Sequence, residues 1–192
     1  MQTTEVITKI KWAIDPLNSQ IGFRVKHLMF TNVRGSFKEF DASIYTTGED
    51  FGTAEIDFWV NPASIDTGNE KRDEHLKSAD FFDVARFREI NFIADSFTEV
   101  DKDGNYELYG ALTMKGTVRQ IKLNVEFGRF LKDPWGTDRA LFSITGKINR
   151  KDWGLSWNSA LETGGVLVSD DVWIICEVQL IKQSDLQEDK VY

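Results

Sequence analysis

Residues 21–27 read Ile21-Gly22-Phe23-Arg24-Val25-Lys26-His27, with Ile21, Phe23, Val25 and His27 at every second position and Gly22, Arg24 and Lys26 between them. A period of two places the first set on one face of an extended strand and the second set on the other. The same alternation recurs outward from this stretch in both directions. Ala54, Ile56, Phe58 and Val60 oppose Glu55, Asp57 and Trp59. Further runs are Tyr106-Leu108-Gly110-Leu112-Met114, Ile121-Leu123-Val125-Phe127, Phe142-Ile144-Gly146-Ile148 and Val172-Ile174-Cys176-Val178-Leu180. Each has one apolar face, so the chain is predominantly β.

Turn-forming clusters separate the runs at hairpin positions: Thr47-Gly48-Glu49-Asp50, Asp101-Lys102-Asp103-Gly104-Asn105 and Lys132-Asp133-Pro134-Trp135-Gly136. About eight strands joined by hairpins form a meander, and closing a meander of that size into a barrel removes its exposed edges. The expected fold is all-β, a lipocalin-like eight-stranded antiparallel β-barrel with short helical turns. One segment, Asp66 to Ala79, lacks alternation and is rich in helix formers, predicting a single helix over about residues 68–79. Thr67 and Glu70 have capping-box spacing, and Arg72, His75, Leu76 and Ala79 share a face at i, i+3, i+4 and i+7. A single domain over 1–182 and a polar tail over 183–192 are expected.

The formal charge of -8 disfavours nucleic acid and, for the same reason, an anionic membrane surface. The one cysteine, Cys176, excludes an internal disulfide framework. The opening residues lack the apolar core of a signal peptide, and no run approaches the roughly 18 apolar residues of a membrane helix. The chain therefore reads as cytoplasmic, or as periplasmic if a signal has been trimmed.

Candidate reactive groups are few. His27 and His75 with Asp73 offer metal-compatible donors, but at no recognisable spacing, and a buried hydrogen-bonding histidine is the plainer reading of His27. No metal site is expected. There is no Gly-x-Ser-x-Gly elbow. Cys176 lies between Ile174 and Val178 on an apolar face and reads as an inert core thiol. Asp170-Asp171 reads as a turn at a strand entry, and Gly164-Gly165 precedes Val166-Leu167-Val168 rather than a helix, so it forms no phosphate cradle. No catalytic residues are assigned.

Large rings are abundant: Phe23, Phe37, Phe40, Phe58, Phe81, Phe82, Phe92, Phe127, Phe142, Trp153 and Trp157. They either fill the barrel solidly or line a cavity for an apolar ligand, and composition leaves the two readings even. Trp59, Trp173 and Ile175 fall on the opposite, outward face, where they call for a cover from another element or a second subunit.

Four segments together resemble the YceI-like family of lipocalin-like, polyisoprenoid-binding proteins. They are Trp12-Ala13-Ile14-Asp15-Pro16 through Val25-Lys26-His27 to Val33-Arg34-Gly35-Ser36-Phe37; Arg72-Asp73-Glu74-His75-Leu76-Lys77-Ser78-Ala79-Asp80-Phe81-Phe82-Asp83; Leu112-Thr113-Met114-Lys115-Gly116-Thr117; and Ile148-Asn149-Arg150-Lys151-Asp152-Trp153-Gly154-Leu155 followed by Val168-Ser169-Asp170-Asp171-Val172. The resemblance implies an elongated apolar tunnel for an isoprenoid tail, a helix near one end, frequently a homodimer, and no catalytic machinery or cofactor beyond a bound lipid. It carries His27, Arg72, Asp73, His75, Leu76, Phe81 and Phe82 over as motif positions, with Arg72 and Asp73 pairing to pin the helix to the barrel rather than contacting a polar headgroup. Asn18 stands where family members often have His.

The resulting expectation is a carrier or store for a polyisoprenoid or isoprenoid quinone. Phe23, Val25, Phe37, Phe58, Ile65, Phe92, Leu112, Phe142 and Ile144 would face the ligand, with His27, Arg72, His75, Leu76, Phe81, Phe82 and Trp153 around it. Two alternatives are a lipid-modifying enzyme with His75 as base beside Arg72 or Asp73, and a filled barrel serving as a stress-response interaction module.

Overall fold

The computed structural model describes residues 8–183. Eleven extended segments run in order: β1 (Lys9–Ile14), β2 (Gln20–His27), β3 (Thr31–Phe37), β4 (Phe40–Thr47), β5 (Asp50–Val60), β6 (Ile65–Asp66), β7 (Ile90–Glu99), β8 (Asn105–Met114), β9 (Thr117–Lys132), β10 (Asp138–Asn149) and β11 (Val168–Lys182). One helix, α1 (Glu70–Lys77), and two 3-10 turns, Pro62–Ser64 and Arg150–Trp153, interrupt them.

The register reduces eleven segments to eight strands. Along β11, Trp12 pairs with Lys182 and Ile14 with Leu180, and then Ile21 pairs with Cys176 and Val25 with Val172. β1 and β2 are therefore one strand, broken by the loop from Asp15 to Ser19. On its other side Trp12 pairs with Ile44 and Ile21 with Phe37, so β4 and β3 are likewise one strand. β5 and β6 form the next, against β4 and β3. Every pairing is antiparallel, and β1–β11 closes the ring. The expected eight-stranded meander is present.

Three bulges alter which residues point inward. An extra residue on one strand reverses the parity beyond it. A register shift at Gly128 lets both Phe127 and Phe130 face the interior, where their rings lie 4.8 Å apart. A second shift between Ala94 and Ser96 turns Phe97 inward and buries it. A third between Tyr45 and Thr47 precedes buried Phe51. Strict alternation misses Phe51, Phe97 and Phe130.

Those rings close one end of the barrel. Trp12, fully buried, packs on Phe51 and Phe130 at centroid distances of 5.1 and 6.1 Å, and Phe51 meets Phe142 at 4.8 Å. The Trp12 indole N–H donates to Thr46 Oγ1 at 2.9 Å, so the only polar atom of that side chain is satisfied. On the rim, Arg139 binds Asp15 at 2.6 Å and Asp133 at 2.9 Å, joining the β1–β2 loop to the β9–β10 hairpin. Burial pushes the Asp15 carboxyl up, but hydrogen bonds from Asn18, Arg139 and the Leu17 amide outweigh it and hold it below its ordinary value. Asn18 is thus a donor to Asp15, at 2.8 Å.

The helix is shorter than its sequence suggests. Gly68 adopts a left-handed φ of +76°, which breaks the chain direction after Thr67, and Asn69 becomes the N-cap, accepting from the Arg72 amide at 3.0 Å. Ser78 ends the helix, and Ala79 lies beyond it. Gln183, the first residue of the expected tail, donates its amide to Lys11 O, and residues 184–192 lie outside the described residues. Among the described residues no helix is long and apolar enough to cross a membrane.

Candidate functional site: an apolar chamber in the barrel

The interior is not solid. A cavity of about 280 Å³ runs from Phe51 and Leu180 at the aromatic end to Val25 and Val168 at the other. Its wall carries many of the residues expected there: Phe23, Val25, Phe37 and Phe58 from the first strands, and Phe92, Leu112, Phe142 and Ile144 from the later ones. Leu76, Phe81 and Phe82 close the far end as a cap. Phe82 meets Phe37 edge-on at 5.9 Å, and Phe37 meets Phe23 at 5.8 Å, so the cap locks onto β2 and β3 through three rings. A backbone turn holds it: the Phe82 amide donates to Leu76 O, and Asp83 N to Ser78 O, both at 2.9 Å.

Five of the residues expected around the ligand, Ile65, Trp153, His27, Arg72 and His75, lie off the wall, as does the motif residue Asp73. Ile65 is buried behind it, paired with Phe37. Trp153 is buried with its indole N–H on Leu112 O at 3.0 Å, bracing the 3-10 turn against β8. His27 ends β2, two positions beyond wall-lining Val25. Arg72 and Asp73 do not pair with each other; both converge on Thr67. Arg72 Nε donates to Thr67 Oγ1 at 2.7 Å, and Thr67 donates both its amide and its hydroxyl to Asp73 at 3.0 and 2.6 Å. The expected direct pair is thus replaced by a three-residue clasp, because the left-handed Gly68 folds Thr67 back over the first helical turn. His75 points to Asp80, Nε2 to Oδ2 at 2.8 Å, with its ring edge-on to Phe81 and Trp157. His75 therefore engages Asp80 while Arg72 and Asp73 engage Thr67, and the three form no single cluster.

Arg150 is a charged lining residue that sequence reasoning did not place at the site. It is buried, and among the described residues it is the one charged side chain on the wall. Its donors are occupied: Nε by Ser169 O at 2.9 Å, Nη1 by Leu155 O at 2.5 Å and Trp157 O at 2.9 Å. Burial pulls the guanidinium down from its ordinary value, and Asp170 at 3.8 Å opposes this. Arg150 is a clasp for the 155–169 loop, and the surface it leaves toward the chamber is apolar. Cys176 also faces the chamber; burial pushes its thiol up to about 11. Outside, the Arg24 guanidinium stacks 4.9 Å from the Trp173 ring, so the cover expected for Trp173 comes partly from the neighbouring strand of the same chain.

A closed eight-stranded meander around an apolar chamber defines a lipocalin-like β-barrel. The chain belongs to the YceI-like family, whose YceI-like domain matches residues 12–180. A UPF0312 protein of Staphylococcus aureus is 39% identical over 84% of this chain and 91% of its own length. The crystal structure of the Campylobacter jejuni YCEI protein is 29% identical, covering 83% of this chain and 90% of that one, with a TM-score of 0.71. Burkholderia cenocepacia BcnA shares the fold at 19% identity, covering 86% and 98%, with a TM-score of 0.74. So does a polyisoprenoid binding domain from Saccharophagus degradans at 15%, covering 90% and 98%, with a TM-score of 0.63.

Proposed function

We propose that this barrel binds the chain of an isoprenoid-type lipid or isoprenoid quinone and serves as its carrier or store, as a binding protein rather than an enzyme. The observation that carries this reading is the chamber wall. It is built from aliphatic and aromatic side chains, and its one guanidinium is consumed by main-chain carbonyls. Such a wall offers a methyl-branched isoprenoid chain nothing but contact, and each methylene-sized group transferred from water contributes about 0.8 kcal/mol. A ligand with a polar body would leave its hydrogen-bonding groups unmatched at a cost. The name of the Saccharophagus degradans neighbour, a polyisoprenoid binding domain, points to the same ligand class.

Native mass spectrometry of protein purified from its own cells tests the proposal. A co-purifying prenyl lipid, or stoichiometric uptake of an added prenol or quinone, is expected. Absence of both refutes it.

A further inference from the structure

The charge of -8 is not spread evenly. Between Gln20 and Lys38 the sequence carries Arg24, Lys26, Arg34 and Lys38 and no carboxylate. This stretch is the β2–β3 hairpin, and its outward face is cationic. Arg24 lies directly across from Arg34, and Lys26 across from Asn32. Like charges placed opposite each other on a sheet repel. Lys38 approaches Asp66 at 3.8 Å, whereas among the described residues Arg24, Lys26 and Arg34 join no ion pair.

The tip of the same hairpin is Leu28-Met29-Phe30, exposed by 49%, 61% and 85%. Leu28 and Met29 hold φ at +52° and +61°, a left-handed pair that a hairpin ordinarily fills with Asn-Gly. Two bulky apolar residues thus occupy a turn that Asn-Gly would form with less strain. A second loop backs them: the Leu28 amide donates to Leu167 O at 2.9 Å, Met29 packs against Gly165, and Val166 adds a further exposed apolar side chain. Glu162 is the carboxylate of that loop, and Asp170 and Asp171, which follow it at the start of β11, are paired with Lys151 and Lys147 at 3.2 and 3.7 Å. The chamber wall ends at Val25 and Val168, immediately below this tip.

The opposite end of the barrel supplies a contrast. Leu17 and Trp135 are also exposed there, but the hairpins around them carry six carboxylates, Glu49, Asp50, Asp101, Asp103, Asp133 and Asp138, against Lys102, Lys132 and Arg139. Helix α1 is balanced, with three acidic and three basic residues. The fold therefore sets a cationic, apolar-tipped hairpin opposite hairpins that are net acidic, a contrast that the net charge conceals.

We propose that the β2–β3 hairpin docks on an anionic phospholipid surface, with Leu28, Met29 and Phe30 entering the interface and Arg24, Lys26 and Arg34 against the phosphates. Apolar side chains at a tip and cations set behind them are the two components of interfacial binding. Docking brings the chamber's end to the bilayer, where an apolar cargo would cross without passing through water.

Vesicle flotation of the full chain tests this. Vesicles of equal parts phosphatidylglycerol and phosphatidylcholine should carry the protein, more weakly at raised salt, and pure phosphatidylcholine should not. Replacing Met29 and Phe30 by Ser, or Lys26 and Arg34 by Glu, should lower partitioning about tenfold or more. Trp135→Ser should leave it unchanged. Near-ultraviolet circular dichroism and uptake of a prenol from solution, both unaltered in the variants, separate lost docking from lost folding. No flotation, equal flotation with neutral vesicles, or variants that float like the parent protein would each overturn the proposal. So would hairpin-dependent self-association without vesicle binding, which would assign the tip to a second copy. Flotation without any prenol uptake would uphold docking while refuting the cargo reading, so the two fail separately.

Discussion

Ile144 sits at mid-strand in β10, opposite Val125 and Cys176, with its side chain on the chamber wall. Two substitutions there separate a chamber from a core. Ile144→Ala removes three carbons, worth about 2.4 kcal/mol at 0.8 kcal/mol each. Because the residue already borders empty space, the added cavity penalty is small, and the total should stay near the low end of the roughly 2–5 kcal/mol seen for such truncations. Ile144→Trp adds a large ring, which in a close-packed interior costs about 1–3 kcal/mol or more. Here it projects into a cavity of about 280 Å³, so the variant should lose no more stability than the Ala variant. Denaturant melts read stability, and native mass spectrometry after incubation with an isoprenoid quinone reads occupancy. The Ala variant is expected to be less stable and loaded, the Trp variant comparably or more stable and empty. Severe destabilisation by Trp would refute the chamber, and undiminished loading of a folded Trp variant would refute the chamber as the binding site.

Other outcomes follow from the same geometry. Gly35 faces the Phe23 ring so closely that a Cβ would displace it; Gly35→Ala should push that ring along the chamber and weaken prenol uptake several-fold in a titration, with little change in fold by circular dichroism. The Cys176 thiol, raised from 9.0 to about 11 by burial, keeps its proton in the folded state while the unfolded chain loses it. Stability from this group is therefore full below pH 9 and falls between pH 9 and 11 by a few kcal/mol at most, on the order of 1 kcal/mol per pH unit. The stability gap between the parent protein and Cys176→Ala should narrow over that range in denaturant melts. Arg139→Met strips a partner from Asp15 and Asp133, whose carboxyls are held low. Their contribution is present above pH 4 and lost as pH falls through the folded values, so the variant should unfold at a higher pH on acidification and melt several degrees lower at pH 7.

Much of this was legible in the residues. Alternation at Ile21–His27, Ala54–Val60 and Val172–Leu180 depends only on the two-fold geometry of an extended backbone, so strands, their inward faces and the hairpins between them could be read locally. The site was legible only to the extent that it is a wall: Phe23, Val25, Phe92, Leu112 and Ile144 line the chamber because their parity is undisturbed. Phe51, Phe97 and Phe130 were hidden because a bulge is a property of two strands, decided by where a partner's register slips. The Thr67 clasp depends on Gly68 adopting a left-handed φ, which spacing alone does not dictate.

By itself, the sequence determined a β meander with an apolar interior, because side-chain period and turn chemistry act over a few residues. Tertiary structure decided the rest. Closure through β1 and β11, residues 12–14 against 180–182, joins positions too distant for any local signal. The wall packs around an empty volume instead of filling it, and a cationic hairpin stands opposite net acidic ones. Each of these is fixed only when all eight strands meet, since each depends on distances between side chains that the chain order leaves far apart.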